Sequence, residues 1–296
     1  VSAVSSPLVV ESPAAARSWS IDAHGSGRTV ALVPTMGALH DGHLALIDLA
    51  HQRADLVAVS IFVNPLQFGD PADFAGYPQT MDTDLAACAN ADVDVVYAPT
   101  ATAMYPPGFE TRVVPGALAW AMEGASRPGH FDGVTTIVTK LFAATRPDVA
   151  VFGEKDYQQL AIVRRMTTDL DLGVEIVACP TVREPDGLAM SSRNQRLDPT
   201  RRSAAICVPQ ALRSALTSAR AGQAVSIILD EASKVITAEP MASIDYVSVF
   251  DADRLTEVTD LDATRCRPGN YRLAIAVRLG DVRLIDNVDL FGPGVL

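Results

Sequence analysis

The sequence predicts a doubly wound α/β domain, in which helices cover both faces of a parallel sheet, followed by a smaller α+β module. Three observations carry this. Short, near-continuous apolar runs rich in β-branched residues recur, as buried parallel strands require, where a half-exposed sheet would show alternation. Segments with apolar residues at helical spacing separate them. After about Pro185 the order changes to two helices and then three more alternating strands. At 296 residues, the chain has room for about two domains. The boundary is expected between 1–184 and 185–296, with a hinge near Arg183–Gly187.

Residues 1–27 are rich in Ser, Ala, Pro and Gly and read as a loose lead-in with room for a short helix. Thr29–Pro34 reads as a buried strand, Thr35–Gly42 as a loop and His43–Arg53 as a helix. Leu56–Val63 is the second strand, Thr80–Asn90 a helix and Val93–Ala98 a strand. Val134–Thr145 follows as a helix, Val149–Phe152 as a strand, Asp156–Asp169 as a helix and Val174–Ala178 as a strand. In the second module, Pro199–Ala221 and Val225–Ala238 read as helices, and Ile244–Phe250, Tyr271–Val277 and Val282–Leu290 as strands.

Composition excludes several functions. With 48% hydrophobic residues, the chain is not disordered. Thirty-five acidic against 24 basic residues give a net charge of −11, which argues against nucleic acid as the main partner. No run reaches the roughly 18 apolar residues of a membrane span. Val1–Ser20 lacks a basic head, its first arginine being Arg17, so a signal peptide is not expected. Cys88, Cys179, Cys207 and Cys266 have no C-x-x-C spacing and read as reduced thiols of a cytoplasmic protein.

The chemistry is concentrated where strands end, as ligand sites of open α/β sheets are. Met36-Gly37-Ala38-Leu39-His40-Asp41-Gly42-His43 joins the first strand to a helix. A helix start there offers free N–H groups to phosphate, and glycines let the backbone approach. Gly37-x-x-x-x-Gly42 imitates a P-loop, but His43 and Leu44 stand where Lys and Ser/Thr belong, so Walker A fails. The remaining H-x-G-H suits hydrogen bonding to phosphate or protonation of a leaving oxygen. Its bland alternatives are helix capping and metal binding.

Gly153-Glu154-Lys155-Asp156 follows the strand Val149–Phe152. The lysine suits phosphate charge, Asp156 suits a helix cap, and Gln158 and Gln159 suit a hydroxyl or carboxylate. Met190-Ser191-Ser192-Arg193-Asn194 reads as a mobile anion-binding loop at the domain junction. Asn64-Pro65 turns the chain after the second strand and projects Gln67 to the same rim, and Arg127, His130 and Phe131 form another loop before a helix.

Together PTMGALHDGH, IFVNPLQF, GHFDGV, FGEKDYQQL, REPDGLAMSSRN and RLIDN resemble the pantothenate synthetase family, the pantoate–β-alanine ligases of bacteria. The resemblance runs from about Thr29 to Asp289 and leaves out residues 1–27. It implies a Rossmann-like nucleotidyltransferase domain related to class I aminoacyl-tRNA synthetases, with a smaller C-terminal lid. It implies ATP, (R)-pantoate and β-alanine as substrates, Mg²⁺, no nucleic acid or membrane partner, and a homodimer. The family's ATP-binding positions fall on Met36, Gly37, His40, Gly42, His43, Gly153, Glu154, Lys155, Asp156, Val182, Met190, Ser191, Ser192 and Arg193. Its pantoate positions fall on Pro34, Met36, Asn64, Gln67 and Gln159, with Gln67 also toward β-alanine, and Tyr77 and Arg127 line the same site. His43, His40, Lys155 and Arg193 carry the catalytic assignment.

One departure concerns the metal. The family has two adjacent acidic residues before a leucine, and here Thr83-Asp84-Leu85 leaves Asp84 alone as a Mg²⁺ contact. The alternative function is another adenylyl-transferring enzyme of the same fold. A metal hydrolase built on His40 and His43, or a non-catalytic nucleotide-binding module, are the readings from other classes.

Overall fold

The computed structural model describes residues 6–69 and 71–293. The chain divides into two compact units. The first holds residues 1–119, 127–154 and 159–180, and the second holds 120–126, 155–158 and 181–296. Two short stretches from the middle of the chain therefore belong with the C-terminal residues.

The first unit is built on β1 (Leu8–Val10), α1 (Pro13–Gly25), β2 (Val30–Thr35), α2 (Asp41–His51), β3 (Leu56–Ile61), α3 (Pro71–Ala75), α4 (Met81–Asn90), β4 (Val95–Tyr97) and α5 (Ala101–Met104). After α6 (Glu123–Ser126), which lies in the second unit, come α7 (His130–Thr145), β5 (Val149–Gly153), α8 (Tyr157–Asp169) and β6 (Glu175–Cys179). The sheet is parallel throughout, in the order β1-β4-β3-β2-β5-β6. Its strands are apolar on both faces, and β3 is buried at every position. Ala31, Val33, Val57, Val59, Val96 and Val151 pack against Leu46, Ile47 and Ala50 of α2 and Cys88 of α4. The order reverses at β2, from which the chain first builds outward through β3 and β4 and then returns to β5. The loop after β2 therefore stands at the switch point where such sheets bind ligands.

The lead-in is more ordered than expected. Of residues 1–27, 1–5 lie outside the described residues; Leu8–Val10 adds an edge strand to β4, and Pro13–Gly25 is a full helix. The helix is signalled by Ser12, whose side chain accepts from Ala15 N, and by Pro13 in its first turn. The helix fills the room the sequence left for one, while the Ser/Ala/Pro-rich composition hid the edge strand.

The second unit packs α9 (Pro199–Ala204), α10 (Cys207–Arg220) and α11 (Val225–Thr237) with an antiparallel sheet of β7 (Ala242–Asp251), β8 (Tyr271–Leu279) and β9 (Val282–Asp289). Leu212, Leu216, Ile228 and Ile236 meet Val249, Leu273 and Ile275 in its core. The single helix expected over Pro199–Ala221 is two. Pro209 has no N–H to give Ala205 O, and Val208 N takes that carbonyl instead at 3.1 Å.

Candidate active site

The loop from Met36 to His43 is shaped by one carboxylate and one capping box. Asp84, from α4, is 1% exposed. Its Oδ2 accepts from Ala38 N at 3.0 Å and Thr80 Oγ1 at 3.1 Å, and its Oδ1 accepts from Leu39 N at 2.8 Å. Gly37 turns the chain over this carboxylate at φ 81°, and a Cβ there would lie 2.9 Å from Asp84 Oδ2. Only glycine meets both conditions.

His40 then caps α2. Its Nδ1 accepts from Gly42 N at 3.1 Å, and His43 Nδ1 accepts from His40 N at 3.3 Å. The rings stand 4.1 Å apart. A neutral imidazole that accepts at Nδ1 carries its proton on Nε2. Capping thus fixes the tautomer of both histidines and makes each Nε2–H a donor.

A second group surrounds Gln67, in the turn after β3. Tyr105 OH donates to Asn64 Oδ1 at 2.7 Å, and Asn64 Nδ2 donates to Gln67 Oε1 at 3.0 Å and to Gly133 O at 3.0 Å. Gln67 Nε2 reaches Met36 Sδ at 3.1 Å, a weak acceptor that a substrate oxygen would outcompete. Arg127 Nη2 and His130 Nδ1 both donate to Gln67 O, at 3.1 and 2.9 Å. Gly133 lets α7 approach this turn, since a Cβ there would come 2.4 Å from Leu66 O. Asn64, 1% exposed, stands behind Gln67 and orients its amide. Arg127 serves the same backbone, and Tyr77 packs edge-on against Phe68 at 5.9 Å.

The second unit carries the other predicted group. Lys155 is 18% exposed at its side chain, with Nζ 3.7 Å from Asp156 Oδ2. It lines a small pocket with Leu188, Ser191, Asn194 and Asp286. Met190 N donates to Val182 O at 3.0 Å, and Arg183 pairs with Ala189, so the stretch expected to hinge is a hydrogen-bonded hairpin. Ser191 Oγ accepts from Arg193 N at 3.3 Å and caps the short turn Ser192–Arg196. Asn194 Nδ2 donates to Glu184 Oε1 at 2.7 Å, while its Oδ1 is buried without a partner. Arg202 pairs with Glu184 at 2.6 Å and Asp186 at 2.7 Å. The expected mobile loop is thus tied along its length. Burial alone would raise Asp186, but Leu188 N–H and Arg202 hold it below the usual carboxylate range.

The predicted residues therefore fall into two groups. Pro34, Met36, Gly37, His40, Gly42, His43, Asn64, Gln67, Tyr77, Arg127, Gly153, Glu154 and Gln159 belong to the first unit. Lys155, Asp156, Val182, Met190, Ser191, Ser192 and Arg193 belong to the second. Gln158, whose residue type suited a substrate, is spent internally: it accepts from Glu123 N at 3.0 Å and donates to Ala121 O at 2.9 Å. Asp156 stands in the turn Glu154–Asp156 beside Lys155, directly before α8. Residues that sequence reasoning left without a role include Tyr105, Glu123, Arg183, Arg272, Asp286 and Asn287.

Asp84 does not fit the metal role expected of it. Both its oxygens are engaged by backbone N–H groups and a hydroxyl, in a buried position, and Mg²⁺ demands open carboxylate oxygens and room for water. Among the described residues no three His, Cys, Asp or Glu side chains converge to hold a metal ion. The thiols of Cys88 and Cys207 are pushed up to about 11 by burial, with nearby acidic charge adding to it, and stay protonated.

The family model for pantoate–β-alanine ligase matches residues 8–289. The chain belongs to the pantoate–β-alanine ligase family. It is a ligase with a Rossmann-like fold, and the match takes in Leu8–Gly25, which the motifs alone left out. Pantothenate synthetase of Heliobacterium modesticaldum is 49% identical over 281 residues, covering 95% of this chain and 98% of that protein. Its counterpart from Trichlorobacter lovleyi is 48% identical over 265 residues, 89% and 92% of the two chains. The crystal structure of pantothenate synthetase from Thermus thermophilus superposes with a TM-score of 0.89 at 42% identity, covering 96% of this chain and all of that one. Pantoate–β-alanine ligase from Francisella tularensis, solved with βγ-ATP and β-alanine, gives a TM-score of 0.80 at 33% identity over 97% of this chain. No helix among the described residues is long and apolar enough to cross a membrane.

Proposed function

We propose that this ligase condenses (R)-pantoate with β-alanine at the expense of ATP, in two steps, as a cytoplasmic homodimer. The pantoate carboxylate, ionised at neutral pH, attacks the α-phosphorus of ATP without a general base. The bond to pyrophosphate breaks, and a pantoyl adenylate is left bound. The β-alanine amine then attacks the acyl carbon and AMP departs.

The observation that carries this reading is the locked tautomer of His40 and His43. Two Nε2–H donors at a helix start on the switch point suit an oxyanion that grows on the phosphates. His43 is assigned the further role of steadying the departing pyrophosphate: a neutral imidazole that accepts at Nδ1 donates a hydrogen bond from Nε2 and keeps its proton, so pyrophosphate leaves as the anion. Lys155, Ser191, Ser192 and Arg193 are assigned to the same phosphates, with the Met36–Gly42 and Gly153–Asp156 segments and Val182 and Met190 framing the nucleotide. Gln67, presented as an N–H donor by Asn64, suits a carboxylate or hydroxyl oxygen of pantoate, with Gln159 as the second amide. Catalysis is then positioning and charge stabilisation. The acyl adenylate is prone to hydrolysis, and the C-terminal module is assigned the water-excluding, lid-like role. Mg²⁺ would travel with the ATP phosphates and offset part of their charge.

The test is pyrophosphate release from ATP with (R)-pantoate, with and without β-alanine, products identified by mass. A pantoate-dependent burst, with AMP and pantothenate appearing only after β-alanine is added, is the expected result. Pyrophosphate release indifferent to pantoate would overturn the acyl substrate. Lys155→Ala should slow adenylate formation at least tenfold, about the 1.4 kcal/mol of one charge-assisted contact, with the fold intact.

A further inference from the structure

The Arg283–Asn287 motif on β9 has no role in the chemistry above, yet two of its residues reach different parts of the second unit. Asp286, 2% exposed, takes Arg183 in two hydrogen bonds of 2.7 and 3.0 Å. Arg183 also donates to Gly187 O at 2.9 Å, so Asp286 fixes the foot of the hairpin that leads into Met190–Arg193. The next residue, Asn287, is 5% exposed. Its Nδ2 donates to Lys155 O at 2.8 Å, and its Oδ1 accepts from Arg272 Nε at 2.8 Å. The amide has only one orientation that satisfies both neighbours, because a guanidinium cannot accept and a carbonyl cannot donate. Arg272 in turn stands over the Tyr157 ring, its guanidinium carbon 4.1 Å from the centroid.

We propose that Asn287 is a positioning residue for Lys155. Lys155 stands in the turn between β5 and α8, where no strand ladder fixes its carbonyl. The ammonium swings on a flexible four-carbon stem, so the backbone atom at its root decides where it can reach. Asn287 fixes that root, Arg272 fixes the amide of Asn287, and the adjacent Asp286 fixes the hairpin. Consecutive residues of one strand thereby set the lysine in register with the serine–arginine loop. The inference rests on Lys155 acting on the ATP phosphates, as proposed above.

The experiment is a double-mutant cycle on the full chain, read as pantoate-dependent pyrophosphate release. Asn287→Asp keeps the size of the side chain and the partner of Arg272, but turns an acceptor oxygen toward Lys155 O. It should lower kcat/KM for ATP by about 10- to 100-fold, the scale of a small misplacement of a catalytic group. The KM for pantoate should hold, and any fall in the thermal midpoint should be the same on the Lys155→Ala background, so that a rate effect that vanishes there is not one of stability. On a Lys155→Ala background the same substitution should change the rate by less than about twofold, because coupled groups do not add. Should Asn287→Asp fail to fold, Asn287→Ser, which keeps a donor but cannot span both partners, is read in the same cycle. A Lys155→Ala enzyme as fast as the parent would remove the phosphate role of Lys155, and the inference with it. A slow Lys155→Ala enzyme, with Asn287→Asp either harmless or multiplying in full onto it, would overturn the positioning role alone.

Discussion

The loop over Met36–His43 and the surroundings of Lys155 are assigned to the same phosphates, but they are held by different physics. The loop is held through its backbone N–H groups, which a few side chains accept. Its amides rest on Asp84, and its helix is capped by its own two histidines, three residues apart. The second unit, which carries Lys155 and the hairpin, depends on buried side-chain charge. Glu123 accepts two hydrogen bonds of 2.7 Å from Arg283, Arg283 also pairs with Asp245 at 2.7 Å, and Arg183 pairs with Asp286. A backbone clamp can be written into ten consecutive residues and one carboxylate. A buried ion network needs every partner present, since each unpaired charge left behind is costly. The second arrangement should therefore be the more fragile to single substitutions.

The largest effect is expected at Arg283. Removing it strands Glu123, 7% exposed, beside Tyr246, and Arg283→Ala should cost about 3–5 kcal/mol in urea unfolding. Replacing both partners together, Glu123→Gln with Arg283→Met, should recover much of that loss. Asp84→Ala comes next. It leaves the amides of Ala38 and Leu39 without their acceptor, at about 1–3 kcal/mol for each buried group that water cannot reach, and should weaken ATP binding by loosening the loop. A larger loss at Asp84 than at Arg283 would reverse the ranking and show the backbone clamp to be the more fragile of the two.

The same contrast explains what could be read in the sequence. The parallel sheet was legible because its central strands are near-continuous apolar runs, a local signal. The loop after β2 was legible because glycines, a capping histidine and a helix start sit within eight residues. Asp84 was legible as an important carboxylate, but its partners were not, since nothing in α4 shows which amides face it. The network of the second unit was opaque for a stronger reason. Asn287 and Lys155 are 132 residues apart and Arg283 and Glu123 160 apart, so only folding brings them together. The stretch 120–126, with no motif of its own, joined the second unit through Gln158, Glu123 and Tyr246. The break after Ala204, by contrast, had a signal in Pro209 that helical periodicity overrode.

The smallest expected effect sharpens the comparison by pH. Asp186 sits in the hairpin of the second unit, accepting from Leu188 N at 3.1 Å and from Arg202. Burial works to raise it, but these donors outweigh burial and leave it below its usual value. A carboxyl depressed in the folded state contributes stability that is fully present above its unfolded value of about 3.9. That contribution is lost as pH falls through the lower, folded value. Asp186→Asn should therefore be less stable than the parent at pH 7, and the gap should close as the pH falls below about 4. The side chain is about a third exposed, so solvent keeps the effect small. Thermal midpoints of the two proteins across pH 3 to 7 measure it. A gap that stays constant with pH would mean that the hairpin is held by packing and its backbone hydrogen bonds, and not by the charge of Asp186.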